Sequence, residues 1–173
     1  FCQICHNQDN KNRDKLKGYT KKQRKTIFGQ LRHKVSNTVR FSLRRGKSAS
    51  IKTSLPFTIA ELAQHLKNYF TPEMSWQDLL DGNIHIDHLI PISAFEFEHE
   101  QDEAFQLCWS LSNLRPKWRS DNLKKGNRLP NGKYFTANDD KISTYQDLEE
   151  LSYLGYFDSD NYLSRFSQSE VYV

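Results

Sequence analysis

The sequence predicts an α+β fold in which a short strand carries the chemistry and helices flank it. Three observations predict it. Ile27, Leu31, Val35, Val39 and Leu43 recur at helical spacing on an otherwise basic background. Thr58-Ile59-Ala60-Glu61 is a capping-box pattern that opens a further helix. Ile84-His85-Ile86-Asp87-His88-Leu89-Ile90-Pro91 is an apolar-alternating run that stops at a proline, as a half-buried strand does.

The chain has 173 residues, enough to bury a core as one domain or a domain with appendages. Its charge divides it into a basic segment over 1–52, a central domain over 53–129 and an acidic, aromatic extension over 130–173. No apolar run approaches the roughly 18–20 residues that span a bilayer, and no signal-peptide pattern is present. A chain that opens on Phe1 is expected to continue upstream into a larger parent chain.

Cys2 and Cys5 form half of a zinc ribbon or knuckle. Zn²⁺ there needs ligands from elsewhere, because Cys108 is distant and His6 adjoins Cys5 awkwardly for joint chelation. Two unligated thiols are the alternative. Three cysteines so spaced suggest no disulfide framework, so the expected compartment is a reducing one, the cytoplasm.

Residues 11–52 hold 15 Lys or Arg and a single acid, Asp14, a net of +14. The apolar stripe predicts a helix from about Lys21 to Arg45, ended by Gly46. It leaves Arg32, Lys34, Arg40, Arg44 and Arg45 available. So large an excess exceeds what solubility requires and points to phosphate, hence to nucleic acid. Phosphate contacts position a protein without reading bases.

A polar linker, Ser48 to Ser54, leads to the capped helix, whose Ile59, Leu62, Ala63 and Leu66 form a core face. A second helix start at Ser75 brings Trp76, Leu79 and Leu80 to the same core. Gly82-Asn83 then turns the chain into the strand. Residues 99–110 read as helical through Ala104, Phe105, Cys108 and Trp109, with Cys108 a buried small hydrophobe. In the extension, three basic residues face eight acidic ones. Its aromatics are too many for pure disorder, and a short helix is expected near Thr144–Leu154, ended by Gly155. That extension is expected to pack on the basic helix or to meet a partner.

The chemistry concentrates between residues 84 and 127. Asp87 offers a hard anionic oxygen and Asn122 a neutral amide oxygen. Two such ligands are too few and too hard for structural zinc, and they suit Mg²⁺ or Mn²⁺, which keeps waters and takes phosphate oxygens. Neighbouring strand residues alternate, so His88 faces away from Asp87. Neutral near pH 7, its imidazole suits a general base that activates water against phosphorus. His85 shares the face of Asp87, within reach of the metal or phosphate, although a supporting or surface role is the expected one. Asn113, in the turn-like Ser112-Asn113-Leu114-Arg115-Pro116, is suited to fixing the loop beside that base through backbone hydrogen bonds. Arg115, Lys117, Arg119, Lys124, Lys125 and Arg128 add positive charge around the site.

Residues 57–128 resemble the HNH endonucleases of the ββα-metal superfamily, the phage and intron-encoded type above all. The likeness lies in His85-Ile86-Asp87-His88-Leu89-Ile90-Pro91, in Ser112-Asn113-Leu114-Arg115-Pro116 and in Asn122-Leu123-Lys124-Lys125-Gly126, at specific spacing. It implies a β-hairpin carrying Asp87 and His88, then a helix bearing the last metal ligand, around one divalent ion. It makes His88 the general base, Asp87 and Asn122 the metal ligands, and Asn113 the support of the base loop. The family's final His is here Asn122, as in the HNH domains of RNA-guided nucleases. A further helix His found in some relatives is here Gly126, which cannot ligate. Asp121 is a rival ligand and Asn127 a weaker one.

The expected function is metal-dependent cleavage of DNA, with one site cutting one strand per event, so that double-strand cleavage needs a homodimer or repositioning. Two other classes remain. One is a non-catalytic nucleic-acid-binding module that keeps the fold. The other is an RNA-binding basic protein with a zinc knuckle.

Overall fold

The computed structural model describes residues 26–43, 55–136 and 139–154. The expectations for Cys2, Cys5, Arg44, Arg45, Gly46, the whole Ser48–Ser54 linker and everything from Gly155 onward lie outside these residues.

Helix α1 spans Ile27–Ser42, shorter at both ends than the apolar stripe suggests. Thr26 is extended and its side chain accepts from Gly29 N, so the helix starts there rather than near Lys21. Leu43 closes it as the C-cap, short of Arg45. Leu31, Val35, Val39 and Leu43 are buried, while Ile27, in the first turn, is 40% exposed. Each fully buried aliphatic side chain contributes about 2 kcal/mol relative to exposure.

α2 (Ile59–Asn68) and α3 (Trp76–Asp81) begin with complete capping boxes, Thr58 with Glu61 and Ser75 with Asp78. In each, a hydroxyl and a carboxylate satisfy backbone N–H groups that the first helical turn leaves unpaired. α2 buries Ile59, Leu62, Ala63 and Leu66, the expected face. α1 packs on α2 and α3. Gly82, at φ +86°, ends α3 in the left-handed region that a side chain disfavours.

The next residues form β1 (Ile84–His88), which pairs antiparallel with β2 (Leu114–Trp118). Among the described residues these two strands make the whole sheet. Both strands are therefore edges, and Pro116 in β2 is tolerated for that reason. Between them lie a single turn at Ile92–Ala94, helix α4 (Glu103–Cys108) and a turn at Leu111–Asn113. α4 is shorter than the expected 99–110 because Asp102 accepts from Glu98 N and His99 N, which closes a turn ahead of the helix. Cys108 is fully buried within it, and burial raises its thiol pKa.

β2 runs directly into α5 (Arg119–Lys125), which lies against both strands. Arg119 N donates to Asn83 O at 2.8 Å, tying the start of α5 to the turn before β1.

The extension packs on the central domain. Ile142 bridges Phe95, donating to Ala94 O and accepting from Glu96 N, both at 2.9 Å. Helix α6 (Tyr145–Tyr153), capped by Thr144 and Asp147, sits against α4, and Tyr145 N donates to a Glu103 carboxylate oxygen. Ile142 and Leu148 are fully buried there. The architecture is thus a mixed helix-and-sheet fold: one antiparallel hairpin, a helix following its second strand, and helices around both. No helix among the described residues is long and apolar enough to cross a membrane.

Candidate active site

Asp87 is 3% exposed, so its charge requires compensation from the protein. Two cations provide it. Arg115, directly opposite in the hairpin register, donates Nε–H to Oδ2 at 3.0 Å. Lys125, from the last turn of α5, donates from Nζ to Oδ1 at 2.9 Å and also to the backbone oxygen of His88. Burial lowers the Lys125 pKa, and its hydrogen bond and charge pairing with Asp87 oppose that shift.

Arg115 and Lys125 were both expected to serve as phosphate-facing charge. Both pair with Asp87: the Lys125 side chain is only 9% exposed, while that of Arg115 stays 36% exposed. A buried carboxylate left without partners is costly, and the hairpin register and the final turn of α5 bring these two to it. Arg119 and Lys124 are exposed and Lys117 half-buried. Lys124 lies 3.9 Å from Asp121, an exposed pairing of little energetic weight.

Solvent exposure does not alternate at the end of β1, although Asp87 and His88 take different partners, Lys125 and Trp109. Asp87 and His88 are both buried, and Ile86 is only half-buried. His88 packs edge-on against Trp109 of the α4 end, with ring centroids 4.8 Å apart. Its Nε2 is enclosed and finds no hydrogen-bond partner among the described residues. Burial lowers its pKa to about 4; Asp87 acts against this shift and Lys125 adds to it. The ring is neutral near pH 7.

Asn113 is fully buried and ties the loop after His88 to the start of β2. Its Oδ1 accepts from Ile90 N at 2.8 Å, and its Nδ2 donates to Ile90 O and Cys108 O. The Asn113 carbonyl also accepts from Leu89 N at 2.8 Å. From the other side of the sheet, His65 of α2 donates Nε2–H to Leu114 O at 2.7 Å. The backbone that carries His88 is therefore held at several points.

Asn122 of α5 donates from Nδ2 to His85 Nδ1 at 3.1 Å. His85 thus contacts Asn122 and lines the same pocket, in keeping with the supporting role read from the sequence. The signal was its position two residues from Asp87 on one strand face, but the partner on α5 was not legible. Burial lowers the His85 pKa, and Arg119 and Lys34 lower it further.

These side chains meet at one open pocket of about 580 Å³. His85, Asp87 and His88 line it from β1, Asn122 and Lys125 from α5, and Lys34 from α1. The basic helix therefore forms a wall of the same pocket, a relation that no local pattern announced.

The donors present suit a hard cation that keeps most of its own water. Asp87 gives a carboxylate already matched to positive charge on both oxygens. With its amide nitrogen on His85, Asn122 leaves its amide oxygen as the atom that could face a cation. One carboxylate and one amide oxygen fit Mg²⁺ or Mn²⁺ with water and phosphate completing the shell. No group of three or more His, Cys, Asp or Glu among the described residues is placed to hold a metal, so a closed zinc site is not formed by them. Asp121, the rival ligand, is exposed beside Lys124.

Comparison with protein families, with curated proteins and with solved structures gives no match for this chain.

Proposed function

We propose that the chain is a metal-dependent DNA endonuclease of the HNH type, hydrolysing phosphodiester bonds. The observation that carries this reading is the meeting of Asp87, His88 and Asn122 at one open pocket walled by a basic helix. The resemblance of 85–91, 112–116 and 122–126 to HNH endonucleases supports the same assignment of roles. An antiparallel hairpin followed directly by a helix is the arrangement that resemblance implies.

In this reading Asp87 and Asn122 hold the ion, and Lys34, Arg119 and Lys117 attract and place the phosphate backbone. His88 accepts the proton of the attacking water, for which a neutral ring is required. Its Nε2 is enclosed, so the transfer runs through Nδ1 or follows rotation of the ring. Asn113 holds the loop that fixes the ring's position. A bound divalent ion supplies charge stabilisation for the phosphate and the leaving oxygen.

Supercoiled plasmid incubated with the full chain in Mg²⁺ or Mn²⁺ is expected to be nicked or linearised. Cleavage is lost with EDTA and in His88→Ala, while DNA binding persists in that variant. Undiminished cleavage by His88→Ala removes His88 from the mechanism. A plasmid that is shifted on a gel but stays intact under all conditions favours the second reading, a nucleic-acid-binding module without catalysis. Two features speak for that alternative: the enclosed His88 Nε2 and the ammonium already seated on Asp87.

A further inference from the structure

We infer that Lys125 is a built-in competitor for the divalent ion, occupying Asp87 until the ion displaces it. The inference rests on the reading of Asp87 as an ion-holding residue. Lys125 Nζ lies 2.9 Å from Asp87 Oδ1 and also donates to the His88 backbone oxygen, so it sits on the proposed ligand itself. The contact is enclosed, with side-chain exposures of 9% and 3%. Arg115 holds the other carboxylate oxygen from the opposite strand.

A cation coordinated by Oδ1 and an ammonium hydrogen-bonded to the same atom are like charges sharing one oxygen. At so buried a contact that repulsion is weakly screened. The two states are therefore exclusive: Lys125 on Asp87, or the ion on Asp87 with Lys125 withdrawn. Arg115, anchored in the sheet register, stays in both. Lys125 belongs to the last turn of α5, and Gly126 follows it at φ +52°, so the helix ends beside it. Its long side chain can swing out toward the open side of the pocket with the backbone in place. Metal-free protein then keeps a neutralised Asp87, and ion entry releases a positive charge toward the pocket that the phosphate enters. Affinity for the free ion is consequently weak.

The test is Mn²⁺ binding without nucleic acid, by calorimetry or by the electron paramagnetic resonance of free Mn²⁺, on the full chain. Lys125→Met is expected to bind Mn²⁺ at least tenfold more tightly than the unaltered chain, and Asp87→Asn to bind none. A merely structural Lys125 predicts the opposite, since loosening the pocket weakens ion binding. Equal or weaker binding by Lys125→Met, with Asp87→Asn still inactive in binding, overturns the competition but leaves the ion site standing. Mn²⁺ binding indifferent to Asp87→Asn overturns both. Should Lys125→Met fail to fold by circular dichroism, amine acylation of the unaltered chain decides. Mass spectrometry is expected to find Lys125 acylated several-fold faster once Mn²⁺ saturates the site. An unchanged rate overturns the proposal.

Discussion

His88 sits at the end of a strand, against the indole of Trp109, in a place where a charged ring has little solvation. Its pKa is accordingly lowered to about 4 from the ordinary 6.5. The consequence for stability follows from proton counting. Between these two values the unfolded chain binds more protons than the folded one, so stability rises with pH through that window and is lost as pH falls through it. The full shift corresponds to about 3 kcal/mol. In EDTA, urea unfolding of the unaltered chain is expected to weaken by up to that amount from pH 6.5 to pH 4. His88→Gln removes a group that must stay uncharged, and its midpoint should follow a flatter course. Parallel pH courses for the two proteins would mean that His88 is solvated in the folded state. The same neutrality that makes the residue a usable base therefore has an equilibrium signature that needs no substrate.

The hairpin is an unusual one, since its arms are separated by α4 and two turns, and no short loop sets its register. Asn113 takes over part of that task by closing three side-chain hydrogen bonds across the gap, to both backbone groups of Ile90 and to Cys108 O. Asn113→Ala leaves a buried N–H and two carbonyls without that partner. Destabilisation of about 2–4 kcal/mol is expected, read as a lowered urea midpoint. A loss below about 1 kcal/mol would show that water or a backbone shift replaces the amide. At this scale the sequence was most legible where the cause is local. Thr58 with Glu61 and Ser75 with Asp78 announce their helices because both partners lie within one turn. The α1 stripe announced its buried face by period alone, although Thr26 set the start that the period could not. The partners of Asp87 were not legible, because they depend on which residue lies opposite in a long-range hairpin and on where α5 comes to rest. Arg115 and Lys125 looked like surface charge in a basic run, and only burial of the carboxylate makes them its counter-ions. Asn113 was readable as a loop tie, but its three partners required the fold.

For the whole molecule, the position of α1 matters most. It buries Leu31, Val35 and Val39 against the domain and brings Lys34 to the rim of the pocket that holds Asp87. Arg32 and Arg40 are exposed on the same helix. Anchoring by an apolar stripe thus fixes positive charge beside the pocket. The described residues of the extension pack against α4 and the Ala94–Glu96 segment. Among the described residues of the extension, Ile142 and Leu148 are buried in the same core as the α1 stripe. If α1 tracks phosphate, Arg32→Ala, Lys34→Ala and Arg40→Ala combined should weaken binding to unrelated DNA duplexes alike. Each lost phosphate contact reduces the slope of log affinity against log salt by about 0.9, so the combined change is at most about 3. Measured in EDTA by fluorescence anisotropy, the effect is separated from cleavage, and thermal stability should change little because Arg32 and Arg40 are exposed and Lys34 is half-buried. An unchanged salt slope would mean that phosphate is held by other residues, with α1 serving the fold alone.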